Sequence, residues 1–88
     1  MEEASRTQRY EEMEERVRML RQKSTETRTL ARAYSDLAAA LRVIPSRGDI
    51  WDIAQNDLVK KAESRAAMCK TIYEAQATEA TDIEEKGI

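Results

Sequence analysis

The sequence predicts an all-α fold: a helix–turn–helix in which two long helices, about 6–44 and about 50–85, are joined by a turn at 45–49 into a coiled-coil-like helical hairpin. Three observations predict it. Apolar residues recur at spacings of three and four on both sides of residue 45, and no alternating strand pattern occurs. The only proline, the only tryptophan and one of the two glycines cluster between Arg42 and Asp52. Charged residues make up 36% of the chain while the net charge is only −2, a balance suited to long solvated helix faces.

The first helix starts near Arg6, because Ser5 followed by Gln8 has capping-box form. Tyr10, Met13, Val17 and Leu20 then form a heptad seam, continued in frame by the polar Ser24 and Thr27. A second seam, Leu30, Tyr34, Leu37, Leu41 and Ile44, begins three residues after Thr27 where four are due. That is a stammer, which overwinds a coiled coil. Residues 21–29 are thus a polar, β-branched weak point, where a kink or a break into separate helices is open. One continuous or kinked helix is the preferred reading, since no Gly or Pro intervenes.

Pro45 stops this helix by disfavouring the α region at Ile44 and removing an N–H donor. Asp49 is the expected N-cap of the second helix, with Ser46 competing, and Asp52 adds charge near the positive dipole end. Ile50, Trp51, Ile53, Ala54 and Leu58 cover its first turns. A strict seam follows through Val59, Ala62, Ala66, Cys69, Tyr73, Gln76, Ala80 and Ile83, and Lys86-Gly87 is the C-terminal signal. The packed seams are expected to hold Leu30, Tyr34, Leu37, Leu41, Trp51, Leu58, Cys69, Tyr73 and Ile83.

Residues 1–88 make a single module with a poor core. Thirteen of the 36 apolar residues are Ala, there is no Phe, and Trp51 is the expected anchor. A chain this short rarely draws more than roughly 3–5 kcal/mol from one core. Oligomerisation, or docking on a larger partner, would supply the missing burial.

Charge is uneven. Arg16, Arg18, Arg21, Lys23, Arg28 and Arg32 form a basic stripe offset only by Glu26, while the last residues carry Glu74, Glu79, Asp82, Glu84 and Glu85. A hairpin turning near residue 47 would set the stripe against 61–77, which is nearly balanced. The acidic tail would then face Glu11, Glu12, Glu14 and Glu15. Exchange of the tail onto another copy's stripe would relieve that repulsion, so this register favours an oligomer or a partner.

The absence of histidine removes the commonest general base, the commonest metal ligand and every Ser-His or Cys-His arrangement. Gly48 and Gly87 stand alone, so there is no phosphate loop, and the carboxylate pairs have ordinary helix-surface spacing. The expectation is a non-enzyme without cofactor, metal or small-molecule substrate. The one cysteine, Cys69, allows no internal disulfide and reads as a small apolar seam residue. Met1-Glu2-Glu3-Ala4 is no signal peptide, and the longest apolar run is too short for a membrane span, so a cytoplasmic location is expected.

Short motifs add little. Arg47-Gly48-Asp49 spells the integrin tripeptide, but here Gly turns and Asp caps. Tyr10-Glu11-Glu12-Met13 and Tyr34-Ser35-Asp36-Leu37 match the Tyr-x-x-apolar sorting form and are also seam pairs. Arg21-Gln22-Lys23-Ser24 has the form of a basic-directed phosphorylation site, and phosphate there would add negative charge to the stripe.

From Glu14 to Gln76 the order of features resembles the opening of the BAR domain in sorting nexins. A charged heptad helix leads into Thr29-Leu30-Ala31-Arg32-Ala33-Tyr34-Ser35-Asp36-Leu37-Ala38-Ala39-Ala40-Leu41. A short break follows, then Ile50-Trp51-Asp52-Ile53-Ala54-Gln55-Asn56-Asp57-Leu58. The resemblance implies a dimeric helical module that senses or bends membranes through basic surfaces, and it assigns no particular binding residues.

The expected function is a protein–protein interaction module: a small helical subunit or scaffold that forms homo- or hetero-oligomers. Arg16, Arg18, Arg21, Lys23, Arg28, Arg32, Tyr34, Leu37, Leu41 and Trp51 are the candidate partner-binding residues. Two alternatives stand beside it: a membrane-surface module binding anionic lipid through the stripe 16–32, and a small inhibitor or regulator of an enzyme or nucleic-acid machine. Overall acidity and the lack of interleaved aromatics disfavour direct nucleic-acid binding.

Overall fold

A computed structural model describes residues 2–87, with side chains from Arg6 onward. Met1 and Ile88, the ends of the expected module, and the Ser5 side chain of the expected capping box lie outside them. Two helices, α1 (Glu2–Arg42) and α2 (Asp49–Gly87), form the antiparallel hairpin, 73 Å long and 15 × 14 Å across. The backbone of α1 is helical from Glu2, upstream of the start expected near Arg6.

The first helix is continuous through residues 21–29. Thr25, Thr27 and Thr29 donate their hydroxyls to the carbonyls of Arg21, Lys23 and Thr25, at 3.0, 2.8 and 3.0 Å. Each hydroxyl is satisfied on its own helix, so the polar run does not break it.

The expected stammer is absent. On α1 the inward positions are Met13, Val17, Leu20, Ser24, Thr27, Ala31, Tyr34, Ala38 and Leu41, an unbroken alternation of four and three. Ala31 and Ala38 hold the places assigned to Leu30 and Leu37, which are 53% and 49% exposed. On α2 the seam is Gln55, Val59, Ala62, Ala66, Cys69, Tyr73, Gln76, Ala80 and Ile83, as expected from Val59 onward. Small side chains sit inside because they let two helices approach closely. Ala38, Val59 and Ala62 pack as one cluster, with Leu41 against it. Among the described residues every buried apolar one is Val or Ala, and no large side chain is fully buried.

The connection corrects the expected turn. Helix α1 ends at Arg42, with Ile44 N–H reaching the Leu41 carbonyl at 3.4 Å, before Pro45 prevents continuation. Gly48, at φ +115°, redirects the chain, and its carbonyl accepts the Asp52 N–H at 3.0 Å. Gly48 is therefore the N-cap, and Asp49 lies inside the first turn, contributing charge. Ser46 Oγ donates to Asp52 Oδ2 at 2.9 Å and accepts the Gly48 N–H at 3.4 Å. Gln55 Nε2 donates to the carbonyls of Leu41 and Ile44, groups that the end of α1 leaves without helical partners.

Because Gln55 sits level with Leu41, the first turn of α2 projects past the end of α1. This slides the register beyond the symmetric one expected from a turn at residue 47. Ser24 meets Tyr73, Thr27 meets Gln76, and Arg16 meets Glu79.

Candidate interaction surfaces

Inward residues are written as heptad positions a and d, with Val17, Ser24, Ala31 and Ala38 at a on α1 and Val59, Ala66, Tyr73 and Ala80 at a on α2. Positions e then line one side of the hairpin and positions g the other. Cross-helix ion pairs confirm both sides. Arg16 and Glu79, both at g, pair at 2.5 Å. Arg21 with Glu84, and Arg42 with Glu63, pair at e.

This register places the acidic end of α2 against the basic stripe of α1. Two carboxylates of that end, Glu79 and Glu84, are thereby paired with cations of the same chain, which removes part of the charge expected to favour exchanging tails between copies. Arg18 pairs with Glu15 on its own helix at 3.0 Å. Lys23, Arg28 and Arg32 make no ion pair among the described residues. The six cations do not form one surface. Arg28 and Arg32 line a groove on the e side with Lys70 and Glu63, floored by Ala31, Ala66 and Ala67. Lys23, at g, lies on the opposite side.

Ser24 faces inward. Its Oγ donates to the Tyr73 carbonyl at 2.9 Å, and Thr27 Oγ1 lies 3.2 Å from Gln76 Oε1. Together they make a polar layer in an otherwise small apolar seam. A phosphate on Ser24 would have to part the helices, so Ser24 does not offer the accessible acceptor its sequence context indicated.

The g side is apolar toward the closed end, while Arg16, Lys23, Arg65 and Glu79 occupy g positions toward the open end. Leu30 and Leu37 of α1 lie on it with Trp51, Leu58 and Ile72 of α2, and Ile44 of the connection packs beside Trp51 at its closed end. Leu58 is 51% exposed and Trp51 38%, so neither is the buried seam residue expected. Trp51 closes a small apolar depression with Leu41, Ile44, Ala54, Gln55 and Leu58 at the closed end. The Arg47 guanidinium lies over its ring, 5.4 Å from the centroid. Arg47, Gly48 and Asp49 thus serve as ring cover, turn and first helical residue. Tyr34, Leu41, Cys69, Tyr73 and Ile83 are half-buried in the seam, as expected, whereas Tyr10 is exposed.

Three features escaped sequence reasoning: the Gln55 clamp on the end of α1, the polar layer, and the apolar g side as a surface distinct from the seam. A signal existed for the first two, since Gln55, Ser24 and Thr27 all stand in the heptad frame. Among the described residues no cluster of three or more potential metal ligands occurs, and no helix is long and apolar enough to cross a membrane. Comparison of this chain with family models, curated proteins and solved structures finds no match.

Proposed function

We propose that this chain is a non-enzymatic protein–protein interaction module that docks through the g side of the hairpin. One observation carries the reading. Among the described residues only Val and Ala are fully buried between the two helices, while Leu30, Leu37, Leu58 and Trp51 stand partly exposed on one common side. Exposed apolar side chains gathered on one face mark interaction sites. With so little buried between the helices, covering that face would add a large share of the total apolar burial, at about 25 cal/mol per Å². The single thiol of Cys69 suits the reducing cytoplasm, which is part of the proposal.

Affinity purification with mass spectrometry tests it, comparing wild type with Leu37→Asp/Leu58→Asp. A partner set present with wild type and lost with the double variant supports the reading. Identical sets would sink it.

A second reading has its own observation. Arg28, Arg32 and Lys70 converge on the e-side groove, where Glu63, the one carboxylate, is held by Arg42. An acidic partner or anionic lipid surface fits that groove. Salt-sensitive co-sedimentation with phosphatidylserine vesicles, abolished in Arg28→Glu/Arg32→Glu, supports a lipid; no sedimentation at low salt excludes it.

A further inference from the structure

The g side has a pattern that two helices alone do not require. A two-stranded coil needs apolar residues at a and d, whereas a helix facing the centre of a bundle carries a third apolar position, e or g. Between Leu30 and Leu58 both helices carry that third position at g. Met19 and Met68, at the adjoining c positions and exposed, lengthen the same face toward the open end. The e positions opposite hold Arg21, Arg28, Arg42, Glu63 and Glu84, so only one side is built this way.

We propose that a second copy of this chain covers that face, making a two-fold four-helix bundle. This rests on the protein-binding reading above and names its partner. The two-fold runs parallel to the long axis with the closed ends together, so that α1 of one copy packs antiparallel on α2 of the other. Leu37 then meets Leu58, and Ile44 meets Trp51, across the interface at the levels they already share within one chain. Every neighbouring pair of helices is antiparallel, which sets opposite dipole ends side by side.

Area and charge both favour this occupant. The face runs from Met19 to the end of α1 at Arg42, about 35 Å at the helical rise. Across the 15 Å width of the hairpin it projects roughly 520 Å² before side-chain relief is counted. That approaches the roughly 800 Å² of accessible surface per partner in stable interfaces. Lys23, Glu26, Lys61 and Arg65 are charges on the face that make no ion pair among the described residues. Arg65 lies level with Leu30, one turn from Glu26, so the bundle brings Glu26 of each copy beside Arg65 of the other. A single self-complementary face closes as a dimer and does not propagate.

Sedimentation equilibrium of the full chain at tens of micromolar tests the proposal. The expected mass is twice 10.1 kDa. Leu37→Asp/Leu58→Asp is expected to sediment as a monomer with helical circular dichroism retained. Glu26→Arg is expected to weaken the dimer at least fivefold, and adding Arg65→Glu to restore it, a rescue that does not depend on the apolar variants folding. In a Cys69→Ala background, mixed Leu37→Cys and Leu58→Cys chains are expected to cross-link with each other. Leu37→Cys joining chiefly to itself would overturn the arrangement with closed ends together. A wild-type monomer that still binds a different protein through this face overturns the second copy and leaves the protein-binding reading standing. A monomer that binds nothing removes both.

Discussion

Arg21 and Glu84 stand 63 positions apart and meet across the hairpin, with Arg21 Nε donating to Glu84 Oε1 at 2.8 Å and Arg21 Nη2 donating to the same oxygen. With Arg16–Glu79 and Arg42–Glu63, the pair reports the register of the two helices. These side chains are about half exposed, so each pair adds roughly 0–1 kcal/mol, and their greater effect is to disfavour slipped registers. Arg21→Glu is expected to lower the melting temperature, and Arg21→Glu/Glu84→Arg to recover most of the loss. The difference should shrink in high salt, as thermal melts followed by circular dichroism will show.

The seam assignment separates two neighbouring alanines. Ala38 is buried against Val59 and Ala62, while Ala39 is exposed. Ala38→Leu is expected to destabilise by about 1–3 kcal/mol through overpacking. Ala39→Leu should stay within about 0.5 kcal/mol of wild type. Urea denaturation of both variants checks this. Equal effects would restore the stammered seam through Leu37.

Gly48 at φ +115° is a position that side chains rarely adopt, although a Cβ there would meet nothing within 4 Å. The cost of Gly48→Ala is therefore conformational, about 1–3 kcal/mol. Denaturation should show that loss with the helical signal unchanged.

Trp51 is only partly buried, so Trp51→Ala is expected to cost about 1–3 kcal/mol, less than the roughly 3–5 kcal/mol of a fully enclosed aromatic. Its emission should be that of a half-solvated indole in the monomer and shift to the blue when the g side is covered. Fluorescence across a dilution series reads both states in one experiment.

The polar layer gives a further test. Ser24→Ala leaves the Tyr73 carbonyl without its cross-helix donor, at a cost of about 1 kcal/mol. Ser24→Glu is expected to cost more, because a charge must enter the seam, and a comparison of melting temperatures checks the order.

Much of the architecture was legible in the primary structure. The helical spacings, the break at Pro45 and Gly48, and the α2 seam from Val59 to Ile83 are local properties, set by side-chain periodicity and backbone sterics. The α1 seam departs from the pattern of the large apolar residues at one point. Leucines 30 and 37 are more apolar than alanines 31 and 38, and a hydrophobicity pattern follows the larger side chains. Close helix approach instead rewards the smaller ones, and it moved the leucines to the flank.

By itself, then, the sequence determined two long helices, their corner, and the thinness of what they bury. These follow from propensity, punctuation and composition, which need no knowledge of the partner helix. The tertiary structure alone decided the register, because that depends on how far α2 runs past Arg42 before Gln55 clamps the end of α1. That slide sets Glu79 and Glu84 against Arg16 and Arg21, and it leaves Leu30, Leu37, Leu58 and Trp51 together on one side. Neither outcome is a property of either helix alone.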